Sequence, residues 1–201
     1  MTDLRIIKGK EMKKNIIFST LKLIAEEGIE GISTQKIADH LNISKSNIFH
    51  HFKSVDIILD EVFATILQSM LEPISSHNYK NVKDFLMFIG KGVYQLSYEE
   101  RTIYIVMFQL YTMSLHNEKY QNLILRQKEK IIQVISSELS KLTDSDKDTC
   151  ETVSEILLMS LDGYGLSALL DERPPHYERL WELNVDYLCN LLSESKGGSY
   201  D

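Results

Sequence analysis

The chain has 201 residues, 43% hydrophobic and 25% charged, with only nine glycines and three prolines. Such a composition can bury a core, is too apolar for a disordered chain, and carries too few turn-formers for a many-stranded fold, so long helices are favoured. Two isolated cysteines, Cys150 and Cys189, offer neither a metal-ligand set nor a disulfide framework, which fits a reducing cytoplasm. No apolar run approaches the roughly 18 residues of a membrane span, and the opening residues lack the apolar region of a secretory leader. A membrane partner, a metal and a cofactor are therefore not expected. The net charge of −7 is split unevenly: residues 1–54 carry nine Lys/Arg against six acids, and the remainder 13 against 23. A basic unit on an acidic body is what a nucleic-acid contact confined to one end requires.

Periodicity reads as helix nearly throughout. A first helix is predicted from about Lys10 to Glu27, with Ile17, Leu21 and Ile24 at the spacing of a buried stripe. Gly28 stands where a left-handed cap falls, and Gly31 opens the connection. Ser33 or Thr34 caps a short second helix through about Leu41, turning Ile37, Ala38 and Leu41 inward. Asn42 suits the turn, and Ser44 caps a third short helix with Ile48 and Phe52 inward. Helices this short cannot stand singly, so the three must share one core.

Ser54 caps a fourth helix, Val55 to about Leu71, on which Ile58, Val62, Ile66 and Met70 recur every four residues. Pro73 and the polar stretch Ser75-Ser76-His77-Asn78 are expected to end it. Further helices are predicted at Val82–Leu96, Glu100–Leu115, Glu118–Leu142, Asp146–Leu170 and His176–Leu192, with Pro174-Pro175 as a stop and restart. Ser193–Asp201 reads as a frayed tail. The fold class is all-α, about nine helices, divided after Ser54 into residues 1–54 and 55–201.

The stretch from Ser33 to Ser54 carries the chemistry. A helix-turn-helix needs a small residue where its helices approach, here Ala38, and a short turn, here Asn42-Ile43. It presents the outer face of its second helix to the major groove, and that face is Ser44, Lys45, Ser46, Asn47 and His50. Asn pairs with adenine and Lys with guanine, while Ser and Thr reach bases or phosphates.

On these residues the chain resembles the TetR family of bacterial repressors. The likeness lies in Ile37-Ala38, then Ile43-Ser44-Lys45-Ser46-Asn47-Ile48-Phe49-His50-His51-Phe52, then Lys53-Ser54, ahead of an all-helical body. It departs from the family pattern where a usual Gly is Ser46, a common Tyr is Phe49 and a frequent Lys is Val55, with Lys53 two residues before. The resemblance implies base or groove contacts from Gln35, Lys45, Asn47 and His50, with Ser46 beside them. It implies phosphate contacts from Thr34, Ser44, His51 and Lys53.

The body lacks a Gly-rich phosphate loop, a His-Glu-x-x-His helix and a Gly-x-Ser-x-Gly elbow, so no enzyme is expected. Its middle helices are dense in aromatic residues and methionine. Tyr94, Tyr104, Met107, Phe108, Tyr111 and Tyr164 are the candidates for a mostly apolar small-molecule pocket with a few polar tips. Tyr104, Phe108 and Tyr111 share one helical face. The segment Leu161-Asp162-Gly163-Tyr164-Gly165-Leu166-Ser167-Ala168 is similar to the penultimate helix of the choline-sensing repressors. Its small residues suggest the close approach of another helix, as in a homodimer packed through the last two helices. The resemblance thus implies a dimeric repressor of a palindromic DNA operator, released by a small molecule. The alternative is an all-helical small-molecule or lipid-binding protein, or an adaptor, without operator binding.

Overall fold

The computed structural model describes residues 2–171 and 173–194. Its helices are α1 (Thr2–Glu27), α2 (Thr34–His40), α3 (Lys45–His51), α4 (Val55–Ser76), α5 (Val82–Tyr94), α6 (Tyr98–Ser114), α7 (Glu118–Leu142), α8 (Lys147–Leu170) and α9 (Pro174–Glu194). A single 3-10 turn, Ile29–Gly31, links α1 to α2. Among the described residues there is no strand.

Side-chain caps fix the helix starts, each satisfying an amide that has no partner within its helix. Ser33 Oγ accepts from the Lys36 amide at 3.2 Å, Ser44 Oγ from Asn47 at 3.2 Å and Ser54 Oγ from Ile57 at 3.4 Å. Ser97 and Glu100 form a reciprocal capping box at α6, and Asp146 caps α8 through the Thr149 amide. Gly28 at φ 87° and Asn42 at φ 53° take the left-handed backbone that the turns demand.

Three of the boundaries that differ from the sequence reading have a clear physical cause. First, α1 begins at Thr2 instead of near Lys10, because a helix once nucleated propagates through residues with no strong breaker. Its buried stripe also sits one residue earlier, with Ile16 fully buried and Ile17 only half-buried. Second, α4 runs through Pro73 to Ser76. Proline removes one amide donor, yet Ile74 beyond it is buried in the body, and the Tyr79 hydroxyl donates to the Ile74 carbonyl at 3.0 Å. Third, Pro174 opens α9, where its fixed φ suits the first helical position. Of the tail expected to fray, residues 195–201 lie outside the described residues.

The core has two parts. The first joins α1–α3 to Ile58, Leu59, Val62, Phe63 and Ile66 of α4, Val106 and Leu110 of α6, and Tyr120 of α7. The second fills the body from α5, α6, α7, α8 and α9, with Trp181 fully buried at its centre. Its indole N–H donates to the Leu86 carbonyl at 2.9 Å. By length and mean hydropathy, 1.3 over its most apolar stretch, α8 could cross a membrane. In the fold those apolar residues divide between the body core (Val153, Leu157, Leu158, Leu161) and an exposed stripe (Met159, Leu166, Leu170).

Candidate nucleic-acid interface and body cavity

The helix-turn-helix is built from the inside out. Ile37, Ala38 and Ile48 are fully buried and Phe52 nearly so, which fixes α2 and α3 against α1 and aims their other faces outward. Gln35, Lys45, Ser46, His50 and Lys53 are exposed, while Asn47 and His51 are half-buried. The structure therefore gathers Lys45, Ser46, Asn47 and His50 on one surface of α3, as the sequence reading expects. One expectation needs correction. Thr34, expected at a phosphate, is buried, because it opens α2 where that helix meets the head. Ser44 is exposed; its Oγ accepts from the Asn47 amide and lies 2.9 Å from Ser46 Oγ.

Neighbours hold the outward groups in place. Gln35 Nε2 donates to Asp39 Oδ1 at 2.7 Å, one turn along α2. Lys45 Nζ lies 5.9 Å from the Phe49 ring centre, and Lys13 Nζ lies 5.6 Å from that of Phe52. The rings of His50 and His51 meet edge to face at 5.0 Å. Burial first, then the nearby His50 and Lys13 charges, hold His51 below the usual histidine pKa. An open groove of about 470 Å³ runs between α3 and the first turns of α1, walled on the α1 side by Lys8, Gly9 and Met12. The sequence reading named no residue of α1 here, since helical periodicity does not say which neighbour a helix will lie beside.

The body holds a larger cavity of about 580 Å³. Met70, Ile74, Phe88, Ile103, Tyr104, Met107 and Leu161 supply apolar wall, and Lys91, Gln95, Glu99 and Glu100 add polar groups. Of the six residues predicted for a pocket, Tyr104 and Met107 line it. The other four lie elsewhere. Tyr94 lines a separate cleft of about 190 Å³ with Arg101 and Tyr177. Tyr164 packs edge-on against Trp181 at 5.1 Å. Phe108 and Tyr111 continue the aromatic face from Tyr104, with ring centres 6.2 and 5.9 Å apart in succession.

Tyr111 is instead part of a polar latch. Its hydroxyl donates to Asp162 Oδ1 at 3.2 Å, and Lys128 Nζ pairs with Asp162 Oδ2 at 3.0 Å while lying 4.8 Å from the Tyr111 ring centre. Burial and the Asp162 charge raise the pKa of both Tyr104 and Tyr111, so both stay neutral hydroxyls. Gly165, expected to face another copy, faces Tyr104: a methyl there would lie 2.4 Å from the ring. Gly163 does face open space.

Between head and body lies a group that no motif announced. Gln109 of α6 accepts from the Ile29 amide at 3.0 Å and donates through Nε2 to the Ile24 carbonyl at 2.9 Å. Both ends of one side-chain amide thus clasp the end of α1. The same helix turns Tyr104 and Met107 to the cavity and Val106 and Leu110 into the head core.

Three comparisons bear on this geometry. The model for bacterial regulatory proteins of the tetR family matches residues 16–62, from the buried Ile16 of α1 into α4. The negative transcriptional regulator IcaR of the biofilm operon icaADBC, from Staphylococcus aureus, is 25% identical over 187 residues, covering 90% of this chain and 97% of its own. Over residues 16–62 the chain is thus similar to the bacterial regulatory proteins of the tetR family.

A transcriptional regulator from Rhodococcus shares the fold at a TM-score of 0.77 and 18% identity, over 89% of this chain and 96% of that one. A transcriptional regulator from Saccharomonospora viridis, solved in complex with choline, does so at 0.70 and 20%, over 89% and 97%. IcaR and these two structural neighbours are all transcriptional regulators. Against the family pattern, Ser46 is exposed and tied to Ser44 through their hydroxyls, and Phe49 is exposed beside Lys45. Val55 is half-buried at the first turn of α4, with Lys53 exposed just before it.

Proposed function

We propose that this chain is a regulator of the TetR family, a homodimeric repressor of a palindromic operator that is released when a small molecule fills the body cavity. The supporting observation is the outward polar face of α3, carried on a head whose core is shared with α4 and α6. Residues 1–54 act as the DNA-reading unit and residues 55–201 as the sensing and dimerising body. Lys45, Asn47, His50 and Gln35 read base edges, with Ser46 beside them, and His51 and Lys53 hold phosphates. Dimerisation through α8 and α9 sets two copies of α3 about one DNA turn apart, roughly 34–36 Å.

An apolar or cationic compound suits the cavity best. Most of its wall is apolar, and Glu99 and Glu100 outnumber Lys91 among its charged groups. Pro73 also leaves the Ser69 carbonyl, on the same wall, without its helical donor. The compound releases the operator by preferring a state in which α4 is tilted, and a coupling of about 1–3 kcal/mol weakens DNA affinity about 5–150-fold. The protein works in the cytoplasm, where its DNA is, and needs no cofactor.

The test is a mobility shift on the DNA upstream of the protein's own coding sequence, with competitor DNA present. Binding should survive the competitor, and Lys45→Ala with Asn47→Ala should abolish it while leaving the dimer intact. If the double variant binds as the parent does, α3 is not the reading helix. Hydrophobic amines should relieve the shift more than neutral aromatics of equal size.

A further inference from the structure

We infer that the first turns of α1 form a second DNA-contacting element, which clamps the phosphate strand lying between it and α3. The inference rests on the operator-binding reading and extends it to residues outside the helix-turn-helix. From Ile6 to Asn15, α1 has no fully buried side chain; the head core begins at Ile16. At 1.5 Å per residue, Thr2 to Asn15 makes an arm about 20 Å long. A helix that packs so little of itself contributes little to the fold, since helical stability comes mostly from a buried face.

The arm's charge and position point to its partner. Residues 6–15 hold Lys8, Lys10, Lys13 and Lys14 against the single acid Glu11. The open groove of about 470 Å³ separates Lys8, Gly9 and Met12 from the outward face of α3 between Ser46 and His50, and none of its lining residues is acidic. A strand bordering the major groove that α3 enters would run along that space. Lys8 meets its phosphates as a point charge, across from the residues that read bases. Lys13 sits further along, against Phe52 and beside His51. Lys14 lies on roughly the opposite side of α1 from Gly9 and Met12, by the 3.6-residue turn. It supplies a control with the same charge and no access to the groove.

The experiment measures Kd against salt for the full-length chain and for its Lys8→Gln, Lys8→Arg and Lys14→Gln variants. Two duplexes serve as probes, one from upstream of the protein's own coding sequence and one of unrelated sequence. Each phosphate contact contributes about 0.9 to the slope of log K against log salt, so losing Lys8 from both protomers should lower that slope by about 2. The loss should be equal on both duplexes, because phosphates carry no sequence. Lys8→Arg should restore the slope, and Lys14→Gln should change it by less than a quarter as much. Equal effects of Lys8→Gln and Lys14→Gln, no effect of either, or a loss confined to the promoter duplex would overturn the clamp. A parent protein that binds neither duplex overturns the operator-binding reading itself, a distinct result.

Discussion

Gly90 and Gly92 lie two positions apart on α5, and only one of them is irreplaceable by size. A methyl at Gly90 would sit 1.9 Å from Trp181 Nε1, against the indole that bonds the Leu86 carbonyl. Gly90→Ala should therefore lose about 2–4 kcal/mol through overpacking and a broken buried bond. At Gly92 the nearest atom is 4.0 Å away, so Gly92→Ala should be neutral or gain up to about 1 kcal/mol from helix propensity. Urea unfolding of the two variants separates them, and equal midpoints would mean that Trp181 does not pack there. His51 gives a pH prediction. Its folded pKa is lowered, so the unfolded chain binds the proton more readily, and stability should fall as pH drops through about 6.5. His51→Gln should flatten part of that decline between pH 7 and 5 in denaturant melts. That α3 shows these polar residues outward was legible in the sequence, because the spacing of Ile48 and Phe52 fixes the opposite face. That Thr34 is covered was not, because it depends on how α2 lies against the head.

At the scale of helices, α6 matters more than its sequence suggests. It reads as an aromatic stripe, yet its structural weight lies in Gln109, whose amide holds the Ile29 amide and the Ile24 carbonyl. Gln109→Ala takes the partner from the Ile29 amide in a part-buried site, while the Ile24 carbonyl keeps the Gly28 amide, and should cost about 1–3 kcal/mol. Hydrogen exchange at the Ile29 amide should quicken in the same variant; unchanged exchange would show that water or another group replaces the clasp. Pro73 teaches the same lesson in reverse. Local chemistry says that a helix stops there, and tertiary burial of Ile74 carries α4 onward. Tyr104 and Tyr111 show how a correctly read face divides its work. One lines the cavity, while the other closes the latch with Asp162 and Lys128.

At the scale of the whole molecule, the last two helices carry a run of exposed apolar side chains. Met159, Leu166 and Leu170 of α8 and Leu183 and Tyr187 of α9 are all exposed, and Gly163 lies open between Met159 and Leu166. Such a stripe on an otherwise packed body is the expected seam of a dimer. Met159→Arg with Leu183→Arg should give a monomer by sedimentation. Operator affinity should then drop by about a hundredfold or more, because the second half-site no longer binds within the same complex. A variant that stays dimeric would place the seam elsewhere.

Sequence by itself determined what depends on neighbours within a turn or two: the succession of helices, the serine caps of α2, α3 and α4, the turn at Asn42 and the polar face of α3. These follow from hydrogen-bond accounting and helical period, which local residues settle. Only the tertiary structure decided what depends on residues far apart. It brought Gln109 to the end of α1, set Gly165 under Tyr104 and stood the arm of α1 beside α3. It also made the cavity, drawing α4 and α5 walls to Tyr104 and Met107 while sending Tyr94, Tyr111 and Tyr164 elsewhere. A period of 3.6 fixes which side chains share a face; which surface that face meets is chosen by the packing of the whole chain.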